Sequence, residues 1–225
     1  MNAQVGAQRF ANRAAAGDAL ADALTYYRGA DVLVLGLPRG GVPVAARVAE
    51  ELDAELDVIV ARKLQSPISP ELAIGAVTAD GERFLNEGLI SELAVSDMFL
   101  AAVTGMQRAE ARKGEQQLRG TRPPPRITGR IVIVVDDGLA TGATMHAAVR
   151  SVRKQRPAHL IVAAPVGSRE ACEALTREAD EVVCPWRPEP FGAVALYYED
   201  FVQTSEAEVQ EILGHSPAMR SIEPW

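Results

Sequence analysis

Two adjacent carboxylates, Asp136 and Asp137, close the apolar run Ile131-Val132-Ile133-Val134-Val135. A loop with two glycines and two threonines follows them, Gly138-Leu139-Ala140-Thr141-Gly142-Ala143-Thr144. Glycine lets a backbone come close to a ligand. Successive loop amides at a helix start form a positive concavity suited to phosphate. Threonine hydroxyls add donors without adding charge. Carboxylates beside a phosphate repel it unless hydroxyls or a metal stand between them. A sugar phosphate meets both demands, with hydroxyls for the acids and a phosphate for the loop. A P-loop is excluded because its Gly-Lys-Ser/Thr ending is missing, and the GxGxxG dinucleotide spacing is absent as well.

A second loop, Leu37-Pro38-Arg39-Gly40-Gly41, follows another apolar run and precedes a helix. It is a second anion site at the same sheet edge, and the planar fork of Arg39 suits a multi-oxygen anion. Arg62-Lys63 stands just before the proline-bearing segment 64–70.

The segment 131–144 resembles the binding motif for 5-phosphoribosyl diphosphate (PRPP) of type I phosphoribosyltransferases: an apolar strand, two acids, and a loop ending Thr-Gly-x-Thr. The resemblance implies that Asp136 and Asp137 hold the ribose hydroxyls and, directly or through water, Mg²⁺. Gly138, Leu139, Ala140, Thr141, Gly142 and Thr144 would cradle the 5′-phosphate. Arg39, Gly40, Gly41 and Arg62 would meet the diphosphate, and Lys63 would join the acids as a catalytic group. The implied reaction is displacement at the anomeric carbon, with Mg²⁺ neutralising the leaving diphosphate and loop closure excluding water. Two other uses of the same pocket are a PRPP-sensing regulator and a phosphosugar hydrolase.

The acceptor is less legible. The resemblance places it under a variable hood lobe, expected from 1–30, 88–119 and 184–225 within a single domain covering 1–225. Trp186 and Phe191 could stack on a flat base; the competing assignment is hood core. Ala140 departs from hypoxanthine-guanine enzymes, which usually carry an acid there, and Leu-Ala-Thr-Gly looks more like adenine phosphoribosyltransferases. The Pro-Arg-Gly-Gly start and the tail Tyr197-Tyr198-Glu199-Asp200-Phe201 are similar to a bacterial phosphoribosyltransferase-like group with no defined acceptor.

The elements that must position these residues follow from periodicity. Short continuous apolar runs read as strands buried on both faces: 31–36, 56–61, 131–135, 159–164 and 181–184. Helices are expected at 42–52, 144–155 and 168–177, with an N-terminal helix ending near Tyr27-Arg28-Gly29. Residues 73–79 and 82–85 read as strands around Asp80-Gly81, and 88–119 as a long helix with a break near Val95-Ser96-Asp97 or Gly105. The alternation predicts an α/β fold, a doubly wound and mostly parallel sheet with helices on both faces plus the hood.

Composition agrees. The chain has 225 residues, 23 Lys and Arg against 30 Asp and Glu, and a net charge of −7. An acidic chain lacks the basic face that nucleic-acid binding needs, and no apolar run is long enough to span a membrane. Small molecules are the expected partners, and a homodimer is compatible with the reading. Cys172 and Cys184 have no metal-like spacing, and Met1 to Phe10 lacks an export signal, so a cytoplasmic setting is expected. His146, His159 and His215 are scattered, and His146 is expected on an exposed helix face.

Overall fold

The computed structural model describes residues 9–214. The Met1–Phe10 reading (beyond its last two residues), His215 and the outer ends of the expected hood lie outside them. The elements in chain order are α1 (Arg13–Asp22), β1 (Val32–Gly36), α2 (Gly41–Leu52), β2 (Glu55–Val58), β3 (Ala61–Gln65), β4 (Ala73–Thr78), β5 (Arg83–Leu85), α3 (Glu87–Glu92), α4 (Asp97–Arg119), β6 (Ile131–Val135), α5 (Ala143–Lys154), β7 (His159–Ala163), α6 (Arg169–Leu175), β8 (Glu181–Val183) and α7 (Glu206–Gly214).

Five strands form a parallel sheet in the order β2-β1-β6-β7-β8. Its apolar runs are continuous because both faces are covered. Val32 and Val34 point to the side of α2, where Val44, Val48 and Leu52 pack with Leu20 of α1 and Val209 of α7. Leu33 and Leu35 point to the opposite side, against Met145, Val149 and Val152 of α5 and Leu175 of α6. The chain runs from β1 outward to β2, then returns to place β6 on the other side of β1. This reversal opens a crevice at the carboxyl ends of β1 and β6, the place where open α/β sheets take ligands.

The expected strand 56–61 divides in two. β2 ends at Val58, and Ala61 begins β3 in a separate antiparallel sheet ordered β3-β4-β5. Arg62 and Lys63 are therefore strand residues of this second sheet, and of the proline-bearing segment 64–70 only the part after Gln65 lies outside the strand. The second sheet packs on the first turns of α5 through Ala76, Ala61 and Phe84 against Ala143 and Ala147. That contact buries His146 to 4 % exposure, contrary to the exposed face expected. Its imidazole stacks on Phe84 at 4.5 Å, and burial lowers its pKa.

The helical stretch 88–119 breaks at 93–96, where Ala94 takes a left-handed φ of 48° and the Ser96 hydroxyl accepts the Phe99 amide at the start of α4. Gly105 lies inside α4 without interrupting it. The other end of α4 is pinned to the main sheet. Arg119 Nε lies 3.3 Å from both carboxylate oxygens of buried Asp57, and its Nη2 donates to the Val58 carbonyl. Removing Arg119 strips the buried Asp57 carboxylate of its nearest cation, leaving the Val58 amide and Arg122, whose Nη2 is 3.9 Å away. Arg119→Met is expected to cost about 3 kcal/mol in urea unfolding, and a loss below about 0.5 kcal/mol would show that the pair is not a structural tie.

Candidate functional site

Both glycine loops leave the sheet at the crevice. Leu37 N–H bonds the Val135 carbonyl at 2.8 Å, so the loop after β1 is tied to the end of β6. The Pro38–Arg39 peptide is cis. Gly40 and Gly41 lie flush on the acid pair. A Cβ on Gly40 would fall 2.0 Å from Asp137 Oδ2, and one on Gly41 would fall 2.7 Å from the Val135 carbonyl oxygen and 2.9 Å from Asp136 Cα. Only glycine permits this approach, and it brings the two sequence motifs into one site.

On the other side of the acids, Gly142 adopts φ +70° and opens α5. The amides of Ala140, Thr141, Gly142, Ala143 and Thr144 take no hydrogen-bond partner among the described residues. Free amides at a helix start attract anions through their own dipoles and that of the helix. The loop is braced from behind, where Leu139 N–H bonds the Val166 carbonyl at 2.9 Å and Ser168 Oγ bonds the Ala140 carbonyl at 2.8 Å.

The acid pair is short of positive charge. Asp136 Oδ1 accepts the Asp137 amide at 2.9 Å. Burial, then the neighbouring Asp137 charge, push the Asp136 carboxyl well above the ordinary carboxylate range, against the pull of that amide, Lys63 and Arg13. Burial also raises Asp137, which Arg13 partly offsets. Such a pair favours whatever brings hydroxyl donors or a cation to it.

Arg39, Arg62, Gly40 and Asp137 share the wall of a cleft of about 740 Å³, together with Glu110 and Gln117 of α4 and the segment 201–206. Among the described residues, the side chains of Arg39, Arg62 and Lys63 make no hydrogen bond or ion pair. Many other arginines, such as Arg47, Arg130 and Arg153, are paired with acids. Thr141 and Ala140 border a second cleft of about 750 Å³, whose wall includes Ser168, Arg169, Pro188 and Phe191.

The two expected acceptor aromatics both pack on Tyr197 in one aromatic cluster, the hood-core alternative for each. Phe191 lines that second cleft and stacks on Tyr197 with ring centroids 5.0 Å apart. Trp186 packs edge-on against Phe10 and Tyr197, within the same cluster, which also includes Phe191, Tyr198 and Phe201. Cys184 is buried beside Cys172.

Two site residues escape a reading of the sequence. Arg13 Nε donates to Asp137 Oδ2 at 2.8 Å, and the Tyr198 hydroxyl donates to the Asp137 carbonyl at 2.6 Å. Arg13 follows no motif, and its partner lies 124 positions away. The tail containing Tyr198 stands out in the sequence only by resemblance. Backbone bonds from Phe10 to Tyr197 and from Glu199 to Phe10 draw the N-terminal segment and the tail together over the acids.

The phosphoribosyl transferase domain family matches residues 8–197, which is most of the chain. The chain belongs to this family. It is 43 % identical over 207 residues to a protein of Mycobacterium tuberculosis H37Rv named "Putative phosphoribosyl transferase Rv0571c", and equally to its counterpart MT0597 in strain CDC 1551. The match covers 92 % of this chain and 47 % of each relative, so the chain spans about half the length of the curated relatives it matches. Among solved structures, TT1426 from Thermus thermophilus is similar at 42 % identity with a TM-score of 0.77, covering 93 % of this chain and 99 % of that one. No helix among the described residues is long and apolar enough to cross a membrane.

Proposed function

We propose that the chain transfers the 5-phosphoribosyl group of PRPP to a nucleobase-like nitrogen acceptor and releases diphosphate. The reading rests on one juxtaposition: amides at 140–144 that are free among the described residues on one side of a buried acid pair, and cations unpaired among the described residues with a glycine loop on the other. A pentose carrying a 5-phosphate and a 1-diphosphate has its charges and hydroxyls in that order.

In this reading Gly138, Ala140, Thr141, Gly142 and Thr144 take the 5′-phosphate, and Asp136 and Asp137 take the ribose hydroxyls; Leu139, expected among the phosphate residues, is buried with its amide on the Val166 carbonyl and anchors the loop from behind. Arg39, Arg62 and Gly40 receive the diphosphate, and Lys63 adds positive charge near Asp136; Gly41, expected with them, spends its amide on the Leu37 carbonyl and serves by its close approach to Asp136. The protein works mainly by positioning and charge stabilisation. Phe191 offers a face to the acceptor, and Trp186 supports that wall through Tyr197. The setting would be the cytoplasm, with small-molecule partners.

Magnesium fits these residues. Asp136 Oδ2 and Asp137 Oδ1 take no hydrogen bond from another residue among the described residues, and each oxygen has two lone pairs, one for a sugar hydroxyl and one for the ion or its water. No third His, Cys or acidic side chain joins them there among the described residues, so remaining ligands would be oxygens of the donor and water. Bound there, the ion would neutralise charge on the departing diphosphate.

The test is diphosphate release from PRPP and Mg²⁺ across a panel of purine, pyrimidine and related bases. Base-dependent release is expected. Binding without release with every base would point to a sensor, and release indifferent to the base would point to hydrolysis. Thr141→Ile, which puts a bulky branched side chain in the phosphate loop, is expected to raise the PRPP dissociation constant about tenfold or more. An unchanged constant would remove Thr141 from the phosphate site.

A further inference from the structure

Arg13 lies outside both glycine loops yet makes the most specific contact to the acid pair. Its Nε bonds Asp137 Oδ2 at 2.8 Å, while its Nη1 bonds the Val202 carbonyl at 2.7 Å. Its guanidinium carbon sits 3.9 Å from the centre of the Phe201 ring. Its side chain is 12 % exposed and that of Asp137 15 %. A guanidinium fixed by two hydrogen bonds and an aromatic face has little freedom left.

The consequence lies in which oxygens remain. Asp137 Oδ2 is taken by Arg13, and Asp136 Oδ1 is taken by the Asp137 amide. Each acid is left with one oxygen that no other described residue bonds, the Asp137 carboxylate feeling only its own backbone amide besides Arg13. Two single free oxygens on adjacent rigid carboxylates match two vicinal hydroxyls, one each. We propose that Arg13 is a positioning residue that sets the specificity of the acid pair for a vicinal diol, by locking Asp137 so that one carboxylate oxygen faces the sugar. This rests on the PRPP reading above and goes further, because it makes the N-terminal helix and the segment at 201–202 part of donor discrimination.

A site built to hydrogen-bond a hydroxyl rejects the analogue that lacks it, because the buried acceptor is left unpaired. A carboxylate that can turn finds another partner and loses that discrimination. The experiment is calorimetric titration of the full chain, with Mg²⁺, using PRPP and its 2-deoxy and 3-deoxy analogues, on wild type, Arg13→Met and Arg13→Lys. No acceptor is needed. Wild type is expected to prefer PRPP over each analogue by about a hundredfold. In Arg13→Met one of the two ratios, for the hydroxyl that Asp137 holds, is expected to fall to about threefold or less while the other persists. Arg13→Lys keeps the charge but loses the fork, and its ratio is expected in between.

A purely structural Arg13 would weaken all three ligands alike and leave both ratios intact, which would overturn the proposal. Should Arg13→Met not fold, unchanged ratios in Arg13→Lys would do the same. If wild type binds the three ligands equally, the diol clamp itself is wrong. If it gives no heat with PRPP, the donor reading falls and takes this inference with it; intact wild-type selectivity that persists without Arg13 overturns the inference alone.

Discussion

Asp136→Asn combined with Asp137→Asn is expected to lower the turnover of PRPP by about a thousandfold or more. Asparagine keeps the shape of each side chain but gives the hydroxyls a weaker acceptor and removes both negative charges that would meet the metal. The fold is expected to survive. Burial and mutual repulsion already disfavour the charged form of Asp136, and burial disfavours that of Asp137. Neutral amides remove that penalty. The opposing loss is the charge of the Arg13 ion pair, although an amide oxygen can still accept from Arg13 Nε. The two changes act in opposite directions, so the melting temperature is expected to stay within about 4 °C of wild type, the shift that about 1 kcal/mol causes at this chain length. Full activity in the double variant would refute the ribose assignment. An unfolded variant would show that the acids are structural.

Gly40→Ala carries the second large effect. A single methyl there would meet Asp137 Oδ2 at 2.0 Å and Arg13 Nε at 3.0 Å. The Cβ position follows from the backbone, so no rotamer relieves the overlap, and the short Asp137 side chain is already held by Arg13. Either the loop moves away from the acids or the carboxylate turns out of place. The affinity for PRPP with Mg²⁺ is expected to fall about a hundredfold, with a stability loss of about 1–3 kcal/mol from overpacking. Gly105→Ala is the control. Nothing lies within 4 Å of a Cβ there, and glycine to alanine inside a helix favours folding by about 1 kcal/mol. That variant is expected to bind PRPP as wild type does and to melt higher. Equal affinities for Gly40→Ala and wild type would show that the two loops act independently.

Much of this site is local, and what is local is legible in the sequence. The β6 run, the acids that end it, the glycines and the helix start at α5 are consecutive residues. Alternating side chains, short apolar runs and loop chemistry dictate their conformation without knowledge of the rest of the chain. The same holds for 32–41, where strand, glycine pair and helix follow directly. Segment 58–65 shows the opposite. Val58, Ile59, Val60 and Ala61 read as one apolar strand, yet the chain leaves the sheet after Val58 and starts another at Ala61. Apolar residues next to one another do not say which sheet they join. His146 departs from its expected exposure for a related reason, since the helix that carries it is covered by a second sheet whose docking no periodicity announces.

The layered α/β order, the two glycine loops, and the pairing of acids with an amide-rich helix start are written in the residues themselves, because each depends on neighbours a few residues apart. Long-range packing alone makes the two loops meet across the β1–β6 reversal, brings Lys63 near Asp136, gathers Trp186 and Phe191 around Tyr197 with Phe191 at a cleft wall, and sets Arg13 on Asp137. Those are contacts between residues far apart in the chain, and hydrogen bonds and packing of that kind leave no local pattern to read.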